Sequence, residues 1–339
     1  MKAASSAGPV SAALLSGAVI MRNYSDVPFP QAMSGEQKAE TEDRVVSALA
    51  ADFPGLIKGR APESEDELLG LDELAEEAVF RAEQTEAYGT GLILDTRHPI
   101  RAVVNRREHL LLSATAPGAD TDRAYSLIKP LERAFSNGGE PAFDRNWGYL
   151  TSTVLYSGNA FVGWCLMNLK GLWQLERNKD IVKKMNSQGF ILHPLFAKES
   201  GNLHVLFNKR QLGETSSDII RELEGKASEL SEMEADSLEE LIYDDVDRFT
   251  DEVTRALGVM LNARIMSYRE LLDLYTVLRA GLLTGFMDGD CGKLDAFVQS
   301  MSPRAMREKL GILSEREEEL TRAETARSVI AQEIKTNLY

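Results

Sequence analysis

The spacing of apolar residues in the first quarter of the chain predicts two amphipathic helices. Residues 35–53 are rich in Glu and Ala, and Pro54 ends the first helix. A second helix is predicted around residues 71–79, with a single buried stripe. Its apolar positions recur at i, i+3, i+4, i+7 and i+8, and are Leu71, Leu74, Ala75, Ala78 and Val79.

After these helices the pattern changes to short apolar runs, which predict β-strands. Three runs cover residues 91–94, 100–104 and 110–113, separated by turn-prone or charged residues. A helix is predicted over residues 121–135, with a kink at Pro130.

Further apolar runs continue the sheet through the middle of the chain. Residues 149–172 contain a strand and a turn, and residues 190–192 and 203–207 are two more strands. The middle of the chain therefore has an α+β pattern with an antiparallel-leaning sheet and flanking helices.

From residue 217 onward the strand signals disappear, and the last third of the chain reads as all helical. One long helix is predicted from apolar positions spaced by threes and fours: Leu238, Ile242, Val246, Phe249, Val253, Ala256 and Met260. This seam is either intramolecular core or a dimer contact. We therefore expect an α+β domain over residues 1–225 and a helical domain over residues 226–339 for dimerisation or partner binding.

The charge of the chain excludes two classes of partner. The net charge is −15, and residues 222–252 contain thirteen acidic residues against Lys226 and Arg248. Nucleic acids and anionic membranes need a basic face, so neither is expected as a partner. No apolar run is long enough to span a bilayer.

The cysteine content and the apolar residues near the start of the sequence are used to predict the cellular location. Two cysteines, Cys165 and Cys291, form neither a disulfide framework nor a zinc motif, which favours the cytoplasm. Residues 10–21 are apolar, so a secretory signal is the alternative. Because this run continues directly into Arg22, which belongs to a motif of the folded domain, we predict a cytoplasmic protein.

Searches for common catalytic and metal motifs find nothing. The chain has no phosphate-binding P-loop, no dinucleotide glycine fingerprint and no HExxH motif. The four histidines lack ligand spacing, so no metal site is expected: they are His98, His109, His193 and His204.

Several segments, in order along almost the whole chain, resemble the ATP:guanidino phosphotransferases, in the bacterial protein-arginine kinase branch. Residues 22–30 (RNYSDVPFP), 104–110 (VNRREHL) and 148–152 (GYLTS) resemble the family's SxRIRLARNLxxxPFP, VNEEDHL and GYLTS motifs. Residues 201–202 (GN) and 208–213 (NKRQLG) resemble the GN and SNxxxLG that follow the family's RGxxGE loop. The resemblance implies a phosphagen-kinase-like fold, an antiparallel sheet flanked by helices.

The family transfers the γ-phosphoryl group of ATP to a guanidinium nitrogen, with Mg²⁺ and with arginines that hold the phosphates. By the resemblance, all five phosphate-binding arginines are missing from this chain. Their positions hold Gly17, Val19, Leu111, Val162 and His193.

The acidic and thiol groups of the family site are replaced as well. The catalytic glutamate of VNEEDHL falls on Arg107, the glutamate of RGxxGE on Lys198, and the cysteine after GYLTS on Thr153. A cation in place of a carboxylate would repel an incoming guanidinium group. The resemblance therefore implies that the catalytic site is degenerate.

One position in the helical third matches a family pattern, RDxxRA, that reads phosphoarginine. Arg322 and Ala323 remain, but the leading basic residue is now acidic. Arg322 is thus either a remnant of a phosphoarginine site or an ordinary arginine on a helix surface.

We therefore predict a pseudokinase that binds neither ATP nor Mg²⁺ and acts through protein interactions. By the resemblance its partner is an active arginine kinase, a zinc-containing adaptor or a protease-unfoldase system, and the helical domain is the candidate surface for a homodimer. The alternative is an active ATP:guanidino phosphotransferase with a rewired basic pocket: Arg106, Arg107, Lys198, Lys209 and Arg210. A third interpretation is a module in which His193 helps to hold an anion other than a nucleotide.

Overall fold

The structure is a computed structural model that describes residues 11–53, 55–59, 70–80, 91–95, 99–196, 201–209, 213–311 and 314–336. The strands, in chain order, are β1 (Ala13–Arg22), β2 (Leu56–Gly59), β3 (Gly91–Asp95), β4 (Ile100–Val104), β5 (Leu110–Pro117), β6 (Phe143–Asp144), β7 (Gly148–Tyr149), β8 (Phe161–Asn168), β9 (Phe190–Pro194), β10 (Leu203–Asn208), β11 (Met287–Asp288) and β12 (Lys335–Thr336).

Eight of these strands form one antiparallel sheet in the order β2-β3-β4-β5-β1-β8-β10-β9. Strand β1 lies near the centre, paired with β5 on one side and β8 on the other. All ten of its residues are buried, as expected for a strand covered on both faces. Residues 13–21 of the apolar run considered as a secretory signal are therefore sheet core. The pairs β6-β7 and β11-β12 form two small ribbons.

The helices, in chain order, are α1 (Gly35–Asp52), α2 (Leu71–Phe80), α3 (Thr121–Phe135), α4 (Lys170–Gln174), α5 (Asn178–Ser187), α6 (Ser216–Asp244), α7 (Val246–Asn262), α8 (Tyr268–Leu283), α9 (Cys291–Ser300), α10 (Pro303–Leu310) and α11 (Glu315–Glu333). Several begin at a side chain that accepts a hydrogen bond from the first turn. Ser34 and Ser314 form capping boxes at α1 and α11, and Asp120 caps α3.

Two different layers cover the two faces of the sheet. Helices α1 and α3 and the first residues of α6 pack against one face, on side chains such as Ile20 and Leu112. The opposite face carries Val19, Val162 and Trp164, which share one apolar cluster with α2 and the C-terminal helices. The predicted α+β class and its antiparallel sheet are confirmed.

Two sequence expectations need correction in the helical region. The single long helix predicted through Val246 is in fact two, because Asp245 has a non-helical backbone and caps α7 by accepting from the Arg248 backbone N–H. The boundary placed between residues 225 and 226 falls inside α6. This helix is continuous there because Leu223 and Leu230, on either side, pack on the same cluster.

Candidate functional site

The structure brings the five positions predicted to have lost their arginines to one face of the sheet. In an antiparallel ladder, residues directly opposite each other point to the same face. Val19 is paired with Val162, and Met21, two residues after Val19, is paired with Leu111. Gly17 is paired with Trp164. His193 is paired with Val205, which is also paired with Leu166 on β8. Leu166 is two residues after Trp164, so His193 points to the same face as Gly17.

This face is closed. Val19, Leu111 and Val162 are 0%, 1% and 0% exposed. The indole ring of Trp164, itself fully buried, lies over Gly17. Val19, Leu111, Val162 and Trp164 belong to one packed apolar cluster, so among the described residues no cleft opens directly over them. A cavity of about 200 Å³ lies farther along the same face and is lined by Leu15, Thr115 and Arg304.

Helix α2 lies over this face and contacts strands β1, β8, β9 and β10. Its apolar stripe, from Leu71 to Phe80, belongs to the same cluster as the sheet side chains. The ring of Phe80 packs edge-on against Tyr156, with centroids 5.8 Å apart. The helix thus extends the apolar cover as far as the loop that follows β7.

Acidic residues of α2 attach it to cations of the sheet. Arg101 on β4 contacts Glu73 at 2.8 Å and Glu76 at 2.6 Å, and all three side chains are nearly buried. Arg106, in the turn between β4 and β5, is ion-paired with Glu77. Burial alone would lower the pKa of Arg101, but the neighbouring carboxylates outweigh it and raise that pKa above its usual value.

A third cation comes from the C-terminal helices. Arg304 at the start of α10 contacts Glu73 at 3.0 Å and Asp72 at 3.3 Å. The acidic groups of α2 therefore hold guanidinium groups from both halves of the chain. Sequence reasoning missed this network, although carboxylates at positions 73, 76 and 77 have the i, i+3 and i+4 spacing of one helix face.

Arg107, at the predicted catalytic glutamate position, is a buried residue that binds the end of α2. It is 3% exposed and donates from Nη2 to the carbonyl oxygen of Phe80, the last residue of α2, at 3.0 Å. A cation at the C-terminal end of a helix is stabilised by the carbonyls that lack an intrahelical partner. Arg106 and Arg107 therefore anchor α2.

Of the other three residues of that predicted basic pocket, the structure describes only Lys209. Lys209 is exposed at the end of β10, and its backbone N–H donates to Gly189. Lys198 and Arg210 lie outside the described residues.

Thr153, at the family's cysteine position, lies in a turn attached to a buried carboxylate. Its carbonyl oxygen accepts from Thr151 Oγ1 at 2.8 Å. Glu108 accepts from the backbone N–H of Ser152 at 3.0 Å and from its hydroxyl at 2.7 Å, and Asn23 donates to the same carboxylate. Burial raises the pKa of Glu108 despite these bonds.

His193 is half-buried at the end of β9, and its Nδ1 lies 2.8 Å from the Pro194 carbonyl oxygen. It lies on the same face, and its contacts with described residues include none that points to a bound anion.

Arg322 is a buried structural residue. It is 2% exposed, and it donates from Nε to Met301 O at 3.0 Å and from Nη1 to Met266 O at 2.9 Å. Burial lowers the pKa of its guanidinium group. The interpretation of Arg322 as a helix-surface arginine is therefore wrong: two main-chain carbonyls hold it inside the helical region.

The residues at the family site do not fit Mg-ATP. A triphosphate needs several donors or cations around it, and four of the five positions offer buried glycine or aliphatic side chains. Over the ranges that the structure describes, no group of three or more His, Cys, Asp or Glu side chains could hold a metal ion.

In the part of the chain that the structure describes, we find no helix with the length and hydropathy that a bilayer crossing requires.

The chain is similar to a known family model and to several protein-arginine kinases. A family model described as the ATP:guanido phosphotransferase C-terminal catalytic domain matches residues 43–237. A protein-arginine kinase of Caldanaerobacter subterraneus subsp. tengcongensis is 24% identical over 312 residues, which cover 90% of this chain and 93% of the relative. A protein-arginine kinase of Halothermothrix orenii is 25% identical over 329 residues, covering 94% and 93%.

Solved structures share the fold at lower identity. A crystal structure of lombricine kinase has a TM-score of 0.53 and 15% identity, and the match covers 66% of each chain. The duplicated taurocyamine kinase from Schistosoma mansoni with bound transition state analog components has a TM-score of 0.52 and 18% identity, covering 68% of this chain and 34% of that one.

Proposed function

The chain belongs to the ATP:guanido phosphotransferase family, and we propose that within it this protein is a pseudokinase. It keeps the family fold, binds no nucleotide and acts by contacting another protein. The single observation that carries this proposal is the closed sheet face. Gly17 lies under the ring of Trp164, and Val19, Leu111 and Val162 belong to the apolar cluster that also contains Trp164 and α2, at positions where the family would hold a triphosphate.

Magnitudes support the loss of nucleotide binding. Each charge-assisted hydrogen bond contributes about 1.5–3 kcal/mol, so five missing arginines remove about 7 kcal/mol or more of binding energy. At about 1.4 kcal/mol per tenfold, micromolar binding would weaken beyond millimolar. Opening the face would also expose the apolar core beneath α2, which adds a further cost.

Calorimetric titration with Mg-ATP tests the proposal directly. We expect no heat of binding up to millimolar nucleotide, while the protein-arginine kinase of Caldanaerobacter subterraneus subsp. tengcongensis, titrated in parallel, serves as the reference for the method. Micromolar binding to this chain would refute the proposal.

A second candidate function is an active protein-arginine kinase with altered chemistry. What favours it is that curated relatives covering most of the chain carry that name. The test is transfer of the γ-phosphoryl group of labelled ATP to arginine as acid-labile phosphate. If the activity exists, Lys198→Ala or Arg107→Ala should abolish it, and ATP with Mg²⁺ would be the required cofactors.

For the pseudokinase, the proposed partner is a protein: an active arginine kinase, an adaptor or a protease-unfoldase system. A homodimer through the helical region and a cytoplasmic location belong to the same proposal. Light scattering of the purified protein, alone and mixed with a candidate partner, tests it. A strict monomer that associates with none of the three would count against it.

A further inference from the structure

An open groove lies beside the β6-β7 hairpin, outside the closed sheet face. It has a volume of about 580 Å³ and is bounded by α3, the hairpin and the residues that lead into α6. Its walls carry four aromatic side chains: Tyr125, Phe143, Trp147 and Tyr149. Phe143 and Trp147 are 57% and 55% exposed, which is unusual for residues of this size.

The hairpin fixes the backbone that carries three of these rings, Phe143, Trp147 and Tyr149. Asp144 Oδ1 accepts from the backbone N–H groups of Asn146 at 2.8 Å and Trp147 at 3.1 Å, which closes the turn. The rings of Phe143 and Tyr149 pack edge to face with centroids 5.3 Å apart. The wall is therefore preorganised, and binding would cost little ordering entropy.

Gly148 fixes the other side of the turn. Its φ is +73°, and a Cβ there would lie 2.4 Å from the carbonyl oxygen of Gly158. The backbone of the hairpin is thus pressed against the chain that enters β8, as the reciprocal hydrogen bonds between Tyr149 and Gly158 require.

The charges around the groove argue against a cationic occupant. The guanidinium of Arg22 already lies 3.5 Å from the centroid of Tyr149, and the ammonium of Lys129 lies 5.4 Å from that of Tyr125. A ring that holds a cation offers little attraction to a second one, because the two cations repel.

The same charges argue against an acidic occupant. The lining contains one cation, Lys129, and one carboxylate, Glu214. The Arg22 guanidinium against Tyr149 is ion-paired with Glu132, so the groove has no net positive charge. The chain as a whole carries −15. An acidic segment would therefore gain nothing locally and would be repelled at longer range. The complementary ligand is uncharged.

We propose that this aromatic groove is the partner-binding surface of the protein and that it takes an uncharged proline-rich segment in the polyproline II conformation. Such a segment has no internal hydrogen bonds, and aromatic-lined grooves receive its rings. Its carbonyls can accept from the indole N–H of Trp147 and the hydroxyl of Tyr125, both of which line the groove. This proposal rests on the proposed function, because it names the class of partner through which a non-catalytic family member acts.

The test is fluorescence anisotropy of a labelled proline decamer titrated with the full chain, beside a glycine-serine decamer of equal length. We expect saturable binding of the proline peptide and at least tenfold weaker binding of the glycine-serine peptide. Trp147→Ala and Phe143→Ala should each weaken binding roughly tenfold or more, since exposed aromatic anchors dominate such interfaces. Tyr243→Ala, which removes a ring that is 91% exposed at the end of α6, is the matched control and should bind as the wild type does.

Circular dichroism and urea unfolding of the variants confirm that each one folds. Equal binding of both peptides, binding of neither, or unchanged affinity in Trp147→Ala would overturn the proposal. So would a preference for a glutamate decamer, or a preference for an arginine decamer that persists at high salt and is lost in Trp147→Ala. The nucleotide titration is independent of all these results, so a failure of the groove leaves the pseudokinase proposal standing. Micromolar nucleotide binding together with proline-peptide binding would instead refute the pseudokinase and leave the groove as a peptide site on an enzyme.

Discussion

Gly17 lies beneath the indole ring of Trp164, so close that a Cβ built on it would be 2.3 Å from Cε2 and Cζ2 of that ring. The two residues are paired across β1 and β8, and Trp164 is completely buried. Where the resemblance expects a phosphate-binding arginine, the fold therefore needs the smallest residue. The large neighbour occupies the volume that a long side chain and its phosphate would need.

Gly17→Ala should destabilise the protein by about 1–3 kcal/mol, because a rigid ring held in a packed core must move to admit the methyl group. Urea unfolding measures the change. Gly225→Ala in α6 is the control: nothing lies within 4 Å of its added Cβ, and alanine in a helix stabilises by up to about 1 kcal/mol. Equal stability of Gly17→Ala and wild type would show that the ring does not require the glycine.

Sequence reasoning reached much of the fold because local patterns determine it. The boundaries predicted for α3 coincide with the observed helix, and the three strand runs beginning at residue 91 are all strands of the sheet. The break between α6 and α7 was missed because Asp245 interrupts a seam whose threes-and-fours spacing continues across it. A capping side chain can override periodicity at one residue.

The candidate site was predictable only in part. Motif spacing located Gly17, Val19 and Leu111, but the cover above them depends on contacts between residues far apart in the chain. Nothing local to α2 shows that it packs on β1. Likewise Arg107 could be recognised as a charge reversal, but its role of binding the Phe80 carbonyl depends on where α2 ends.

Arg101→Met should destabilise the protein by about 3–5 kcal/mol, because it leaves Glu73 and Glu76 as buried carboxylates without their shared cation. Urea unfolding again gives the free energy. The matched control is Arg255→Met, which breaks an exposed ion pair with Asp251. That change should alter stability by less than about 0.5 kcal/mol. Equal effects of the two substitutions would contradict the role of Arg101 in holding α2.

Arg107→Glu restores the carboxylate that the family pattern expects, yet it should restore no activity. The new side chain cannot donate to the Phe80 carbonyl oxygen, and its charge faces the negative end of α2. We expect a loss of roughly 1–3 kcal/mol in the free energy of unfolding and no phosphoryl transfer from ATP. Arg107→Lys keeps a donor and should lose less. Acid-labile phosphate formed by Arg107→Glu would point to a functional cleft.

The contribution of His204 to stability should fall as the pH is lowered from about 6.5 to about 4. This side chain is 1% exposed, its ring lies 3.6 Å from that of Trp173, and burial lowers its pKa to about 4. The unfolded chain, with a histidine pKa near 6.5, binds a proton throughout this interval while the folded chain does not. Stability is therefore complete above the unfolded pKa and is lost as the pH falls toward the folded one.

The loss is about 3.5 kcal/mol at most, at about 1.4 kcal/mol per pKa unit. It is measured by urea unfolding of wild type and His204→Phe at pH 7, 6, 5 and 4.5. The variant should keep its stability better than the wild type as the pH falls, because phenylalanine has no proton to take up on unfolding. Glu234, whose pKa burial raises to about 7, acts in the opposite sense and is unchanged in both proteins, so it cancels from the difference. Parallel curves for the two proteins would mean that His204 is protonated in the folded chain at the same pH as in the unfolded one.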